Sequence, residues 1–341
     1  MSTSEPFDLR TIDQLIQLGD HLVPLTLAAV AELGIADHLA GGPKHIETLA
    51  RETGTHCASL HIALAGLAGK GIFAERPANT FALTPMAEYL RTDHQYSLRD
   101  WFRVQPLDVS AWAQIGRTLR TGTPAFELMQ GVSFWDYLAA HPDDSARFDG
   151  SQQAITRLEL PFITLAYKWN DVRSVVDLGG GNGAFLIGLL GHCPTLHGVL
   201  FDMPHVVAAA HGLAAHAQVT DRCRVVPGSF LEGPIPSGED VYMMKRVLWG
   251  HPDEEAARLL ANVRAAMRPE SRLLIIEPLR AHGAINGEEV AKRMDLKLLA
   301  MRGSGSRTRE QLRIRLEGAG LRMVRIVPAV ITSIVEAVIA A

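Results

Sequence analysis

Through the first hundred residues, apolar side chains recur at helical spacing, as in LVPLTLAAVAELGIADHL and later ASLHIALAGLAGKG. Between these runs, HIETLARETG predicts a short helix stopped by Gly54. GIFAE and TFALT follow as two brief strand candidates around the turn-forming Pro77-Ala78-Asn79. Helices closed by a small hairpin have the order of a winged-helix unit. A middle stretch, from WAQIGRTLRTGTPAFE to SFWDYLAAHPDDSARF, reads as helices joined by turns at Gly122-Thr123-Pro124 and His141-Pro142.

From Ser174 onward the pattern becomes alternating strands and helices. The strand candidates are SVVDLG, GVLFDM, CRVVPGSF, VYMMKRVL, RLLIIEPL, LRMVRIVP and ITSIVEAVI. Helical stretches between most of them predict an open, largely parallel sheet covered on both faces. Only about Ala329-Val330 separates the last two, too little for a parallel crossover, so they should form an antiparallel hairpin. The expected division is a helical module over residues 1–110 and an α/β domain with its connecting helices over 111–341. No internal repeat or low-complexity tract interrupts this plan.

Charge narrows the function. The chain of 341 residues has a net charge of -4, and residues 1–100 hold 7 Lys/Arg against 12 Asp/Glu. An acidic winged-helix-like module repels phosphates, which argues against DNA and for burial against a partner. The opening MSTSEPFDLR lacks a basic segment followed by an apolar one, and no apolar run is long enough to span a bilayer. Three scattered cysteines, Cys57, Cys193 and Cys223, fit reduced thiols better than a disulfide framework or a zinc site. A cytoplasmic enzyme with no metal is the expectation.

The chemistry centres on VVDLGGGNGAF, which leaves a strand at Asp177 and enters a helix near Ala184. Gly179, Gly181 and Gly183 let the backbone turn sharply beside a ligand. Gly179-x-Gly181-x-x-Ala184 also satisfies a dinucleotide fingerprint, and Asp202, closing the next strand in VLFDMPH, suits ribose hydroxyls in either case. Three features favour a nucleoside without a pyrophosphate, and hence S-adenosyl-L-methionine. The motif lies in mid-chain, its strand ends in an acidic residue, and a hairpin closes the sheet.

VVDLGGGNG, VLFDMPHVV, GSF and the terminal SIVEAV, in this order, resemble the S-adenosylmethionine-dependent small-molecule O-methyltransferases of plant phenolic and bacterial natural-product metabolism. The resemblance runs from about residue 12 to the C-terminus. It implies a seven-stranded Rossmann-like class I methyltransferase domain behind an N-terminal dimerisation domain, and an intertwined homodimer. It also implies that Gly179 and its neighbouring glycines, Gly181 among them, face the methionine part of the cofactor, with Asp177 among the cofactor-binding residues. Asp202 would hold the ribose beside Met203, Ser229 and Phe230 would lie along the adenine, and Lys245 would contact the cofactor from the fourth strand.

The resemblance breaks where the family's acid–base pair belongs. Many members carry V-L-H-D-W-D-D-E, whose histidine deprotonates the acceptor hydroxyl; this chain reads Val247-Leu248-Trp249-Gly250-His251-Pro252-Asp253-Glu254. Trp249 stands at the base position. In the second signature, GG-[KR]-E-R-T, the glutamate that orients the histidine is replaced by Ser306. Anthracycline-tailoring members also look baseless at these motifs. His251 is a weak substitute base, because it precedes Pro252 at a helix entry whose Asp253, Glu254 and Glu255 favour the positive end. Trp249 is expected to be a flat wall for an acceptor ring or a core filler.

Methyl transfer survives such a loss on magnitude. A general base contributes about 10²–10⁴ in rate, whereas orienting two reactants supplies effective molarities of about 10⁵–10⁸ M. The expected activity is O-methylation of a small aromatic or polyketide-like acceptor by proximity. The alternatives are C-methylation of an electron-rich ring, or a non-methylating hydroxylase, decarboxylase or pericyclase-like member that keeps the cofactor.

Overall fold

The chain, in a computed structural model, is described over residues 8–208, 210–280 and 287–340. It forms two compact units, Met1–Pro106 and Leu107–Ala341. In the first, helices Leu22–Glu32, Ile46–Thr53 and Cys57–Ala68 surround a core that includes Ile35, Leu49, Leu64, Phe73 and Phe81. Gly54 ends its helix in the left-handed conformation, as the sequence predicts, and its N–H donates to the Ala50 carbonyl. Strands Phe73–Arg76 and Thr80–Leu83 pair antiparallel, with Ala78 and Asn79 at φ +58° and +53° in the turn. Lys44–His45 adds a third strand that periodicity does not reveal, because two residues carry no period.

Helix Leu9–Leu18 of this unit buries none of its own residues. Leu15, Ile16 and Leu18 are each about two-thirds exposed or more. A capped helix with an open apolar side needs a covering surface.

The second unit has seven strands: β1 Ser174–Leu178, β2 His197–Asp202, β3 Cys223–Pro227, β4 Val241–Lys245, β5 Arg272–Glu277, β6 Leu321–Ala329 and β7 Thr332–Ile339. Their order across the sheet is β3-β2-β1-β4-β5-β7-β6. The first five are parallel, and β7 lies antiparallel to both β5 and β6, so the terminal hairpin takes its expected place. Alternate residues feed two cores. Val241 and Met243 of β4 join Phe185, Leu186 and Leu189 of helix α1 (Ala184–His192). Tyr242 and Met244 point the other way, toward Leu259 and Val263 of α2 (Asp253–Ala266) and Leu312 and Leu316 of α3 (Arg309–Gly318).

Two more helices bear on the site, and both are defined by position. One is the 25-residue Pro142–Ala166, whose Pro142 occupies the first turn, where proline costs no hydrogen bond. The other is Gly287–Arg302, which ends at the left-handed Gly303.

Candidate active site

The turn after β1 is built for close approach. Gly179 and Gly181 sit at φ +68° and +64°. A Cβ on Gly179 would come within 2.8 Å of Val247 and 3.2 Å of Phe230, whereas Gly181 faces open space. The Gly181 N–H donates to the Asp202 carboxylate at 2.8 Å, and the Met203 N–H donates to its other oxygen at 2.7 Å. The ends of β1 and β2 are thereby tied together at the carboxyl edge of the sheet, where open α/β folds hold ligands. Met203 stays 42% exposed at this rim.

Asp177 lies beneath the turn, buried, with neither carboxylate oxygen bonded to protein. Burial pushes it up to about 7, against the opposing charge of Lys245. Asp202 is also raised, chiefly by burial. A third carboxyl, Asp149 of helix Pro142–Ala166, goes up to about 7 through burial and the charge of Asp202. Sequence reasoning missed Asp149, because nothing in its helix distinguishes it until the fold sets it near Asp202.

Lys245 is not the solvated strand-end charge that its position alone would allow. It is buried, 3.0 Å from Glu159 and 3.1 Å from the Thr156 hydroxyl, with its ammonium over the Phe185 ring. Arg246, held at φ +59°, makes a second ion pair with Glu159. Burial raises the Glu159 carboxyl, but the Arg246 and Lys245 charges prevail and bring it to about 2. Burial lowers Lys245. Thr156 and Glu159 were invisible from sequence for the same reason as Asp149.

On the other side of the turn, the Ser229 hydroxyl accepts from the Leu231 N–H at 3.2 Å and so shapes the loop after β3. Phe230 packs against the second core and meets the His251 ring edge-on at 5.5 Å.

Beyond Arg246 and Val247, the three residues Leu248–Gly250 take a tight turn. Trp249 is 5% exposed; its indole N–H donates to the Arg246 carbonyl at 2.9 Å and the Arg246 guanidinium lies over its ring. Its backbone N–H donates at 3.0 Å to Glu277, the last residue of β5. Glu277 is fully buried, keeps one oxygen unpartnered, and burial raises it to about 7. It closes the run RLLIIE, and an acidic residue ending an apolar strand was the available signal.

His251 is 5% exposed, bonded through Nδ1 to Glu255 at 2.8 Å, and lowered chiefly by burial, so it is neutral at neutral pH. Its ring leans on Phe230, which itself abuts Gly179. Ser306 is buried with its hydroxyl unbonded, while its N–H donates to Asp295 and its carbonyl accepts from Arg280. The neighbouring Arg307 donates to the carbonyls of Leu248 and His251 at 2.7 and 2.8 Å. Trp249 and Ser306 thus sit in adjoining segments without a bond to each other. No cluster of metal-ligating side chains occurs among the described residues.

Two family descriptions match the chain: an O-methyltransferase domain over residues 112–322 and an O-methyltransferase dimerisation domain over residues 16–93. A phenazine O-methyltransferase of Lysobacter antibioticus is 34% identical, covering 95% of this chain and 94% of that one. A 3-amino-4-hydroxybenzoate 4-O-methyltransferase of Streptomyces cremeus is 35% identical over 86% of this chain and 80% of its own. Among solved structures, an O-methyltransferase from neocarzinostatin biosynthesis, crystallised with S-adenosylmethionine and 2-hydroxy-5-methyl naphthoic acid, superposes with a TM-score of 0.83. It is 29% identical and covers 98% of this chain and 100% of its own.

Proposed function

As the chain belongs to the family of S-adenosylmethionine-dependent small-molecule O-methyltransferases, we propose that it methylates a hydroxyl of a small aromatic or polyketide-like natural product by placement, without a dedicated histidine base. The observation that carries this reading is the tie between the Gly181 N–H and Asp202, beside a turn where a Cβ on Gly179 would collide with Val247. The residues present fit the donor. Gly179 and Gly181 leave room for it, Asp177 offers unbonded carboxylate oxygens to a cationic amino acid, and Asp202 suits a ribose diol. Phe230 and Ser229 would border the adenine with Met203 at the rim, and Lys245 would set the floor through its bonds to Glu159 and Thr156.

When bound, S-adenosylmethionine supplies a methyl group on an activated sulfonium, which leaves as the neutral thioether. The acceptor oxygen gains that methyl and gives up its proton to solvent, so the protein has to hold the acceptor in line and exclude competing water. His251 is turned toward Glu255 and Phe230, and Trp249 has no group that takes a proton. The wrapped second copy expected of the dimerisation domain would cover the open side of helix Leu9–Leu18. Among the described residues, no helix is long and apolar enough to cross a membrane.

Incubation with S-adenosylmethionine and a panel of hydroxylated aromatics, read by mass spectrometry, tests the reading. An O-methylated product with one adenosylhomocysteine per turnover is expected. Consumption of an acceptor without adenosylhomocysteine overturns it.

A further inference from the structure

Arg302, the last residue of helix Gly287–Arg302, has no hydrogen bond or ion pair to any described residue. Its guanidinium lies 4.0 Å from the centroid of the Trp135 ring and 5.3 Å from that of Phe134. It also presses on the turn after β4, where any Cβ on Gly250 would collide with Nη1. Gly250 sits between Trp249 and His251, so the cation stands at the carboxyl edge of the sheet, over the segment that replaces the family's base motif.

The neighbouring acid does not neutralise it. Asp108 attracts Arg302 from a distance but is bonded to Lys297 at 2.5 Å. Burial, opposed by Asp108, lowers Arg302 to about 10, which leaves it a cation at neutral pH. A guanidinium stacked on an aromatic face keeps its in-plane N–H groups free, and those form the fork that matches a carboxylate. Trp135, 43% exposed, extends the stacking surface beside it. A half-desolvated cation without a counter-charge, on a flat aromatic platform, is a poor structural element and a good anion receptor.

The geometry points to Arg302 as the residue that selects an aromatic acceptor bearing a carboxylate, with the N–H edge of Arg302 on the carboxylate and the acceptor ring beside Trp135. This rests on the methyltransferase reading above and narrows its substrate class.

The test uses the full-length protein saturated with adenosylhomocysteine and two matched probes, 3-hydroxy-2-naphthoate and its carboxamide, titrated by calorimetry. A charge-assisted fork predicts that the wild type binds the naphthoate about tenfold tighter or more. Arg302→Gln and Arg302→Met should abolish that preference by weakening the naphthoate far more than the carboxamide, and Arg302→Lys should restore part of it. Melting temperatures and adenosylhomocysteine affinity near the wild-type values show that the fold and the donor site are intact. Equal binding of the two probes by the wild type, failure to bind either, or a preference that persists in Arg302→Gln overturns the assignment. Because the wild-type comparison needs no variant, a misfolded substitution does not leave the question open. Failure of adenosylhomocysteine itself to bind strikes at the methyltransferase reading instead.

Discussion

The ammonium of Lys245 lies 3.0 Å from the carboxylate of Glu159, although 86 residues separate the two in sequence. Strand β4 supplies the lysine and helix Pro142–Ala166 the glutamate, so the contact joins the floor of the proposed donor site to the helix that carries Asp149 and Thr156. Arg246 completes a buried triad in which two cations depend on one anion.

Glu159→Gln should therefore destabilise the protein by about 3–5 kcal/mol, because it leaves two buried charges uncompensated. The Glu159 pKa falls from 4.5 to about 2 on folding. A carboxyl depressed in the folded state stabilises fully above its unfolded value and loses that contribution as pH drops through the folded one. Urea melts of wild type and variant should converge as pH falls from about 5 toward about 2. A constant difference over that range would show that Glu159 does not act through its charge.

Donor binding should be pH-dependent, because Asp177 and Asp149 are both raised to about 7. A cationic donor favours their ionised forms, so binding near pH 7 should release protons. Affinity for S-adenosylmethionine should rise from pH 6 to pH 8 by about tenfold for each of the two carboxyls that ionises on binding, and then level. Lys245 opposes the Asp177 shift, Asp202 adds to those of both Asp177 and Asp149, and His205 faces Asp202; these are the other charges that bear on it. Calorimetry in two buffers of different ionisation enthalpy measures the release. Asp177→Asn with an unaltered proton count would refute the role, and Asp202→Ala should weaken binding through lost bonds to the ribose.

Much of this was legible in the chain because its signals are local. VVDLGGGNG places four glycines and an acid within one turn, and Asp202 closes the next apolar run, so their proximity follows from strand order alone. Asp149, Thr156 and Glu159 sit in a 25-residue helix whose mixed surface gives no sign of which residues face the sheet. Arg302 was hidden for another reason. A terminal arginine on a helix reads as a favourable charge at its negative end, and only the collision it would have with a side chain at 250 shows what it lies against.

Glu277 gives a prediction of opposite sign. Its pKa is raised from 4.5 to about 7 by burial, so ionisation costs folded-state stability as pH rises between those values. Glu277→Gln keeps an acceptor for the Trp249 N–H and should be more stable than wild type at about pH 8, by about 1–3 kcal/mol, and nearly equal to it at about pH 5. Thermal melts at the two values decide it. A variant that is less stable at both would mean that the carboxylate is held charged.

The missing base can be tested at the same turn. With neutral His251 bonded to Glu255 and leaning on Phe230, His251→Ala should lower turnover less than about tenfold, below the usual contribution of a general base. Trp249→Ala should behave differently, costing about 3–5 kcal/mol of stability from a lost buried ring. Trp249→Phe isolates the indole bond to the Arg246 carbonyl and should cost far less. Without an enzyme base, the pH–rate profile reports ionisation of the acceptor hydroxyl, about 10 for an unactivated phenol. It should move to lower pH when a more acidic acceptor is supplied. A profile that stays fixed while acceptor acidity changes, together with a thousandfold loss in a folded His251→Ala enzyme, would make His251 the base.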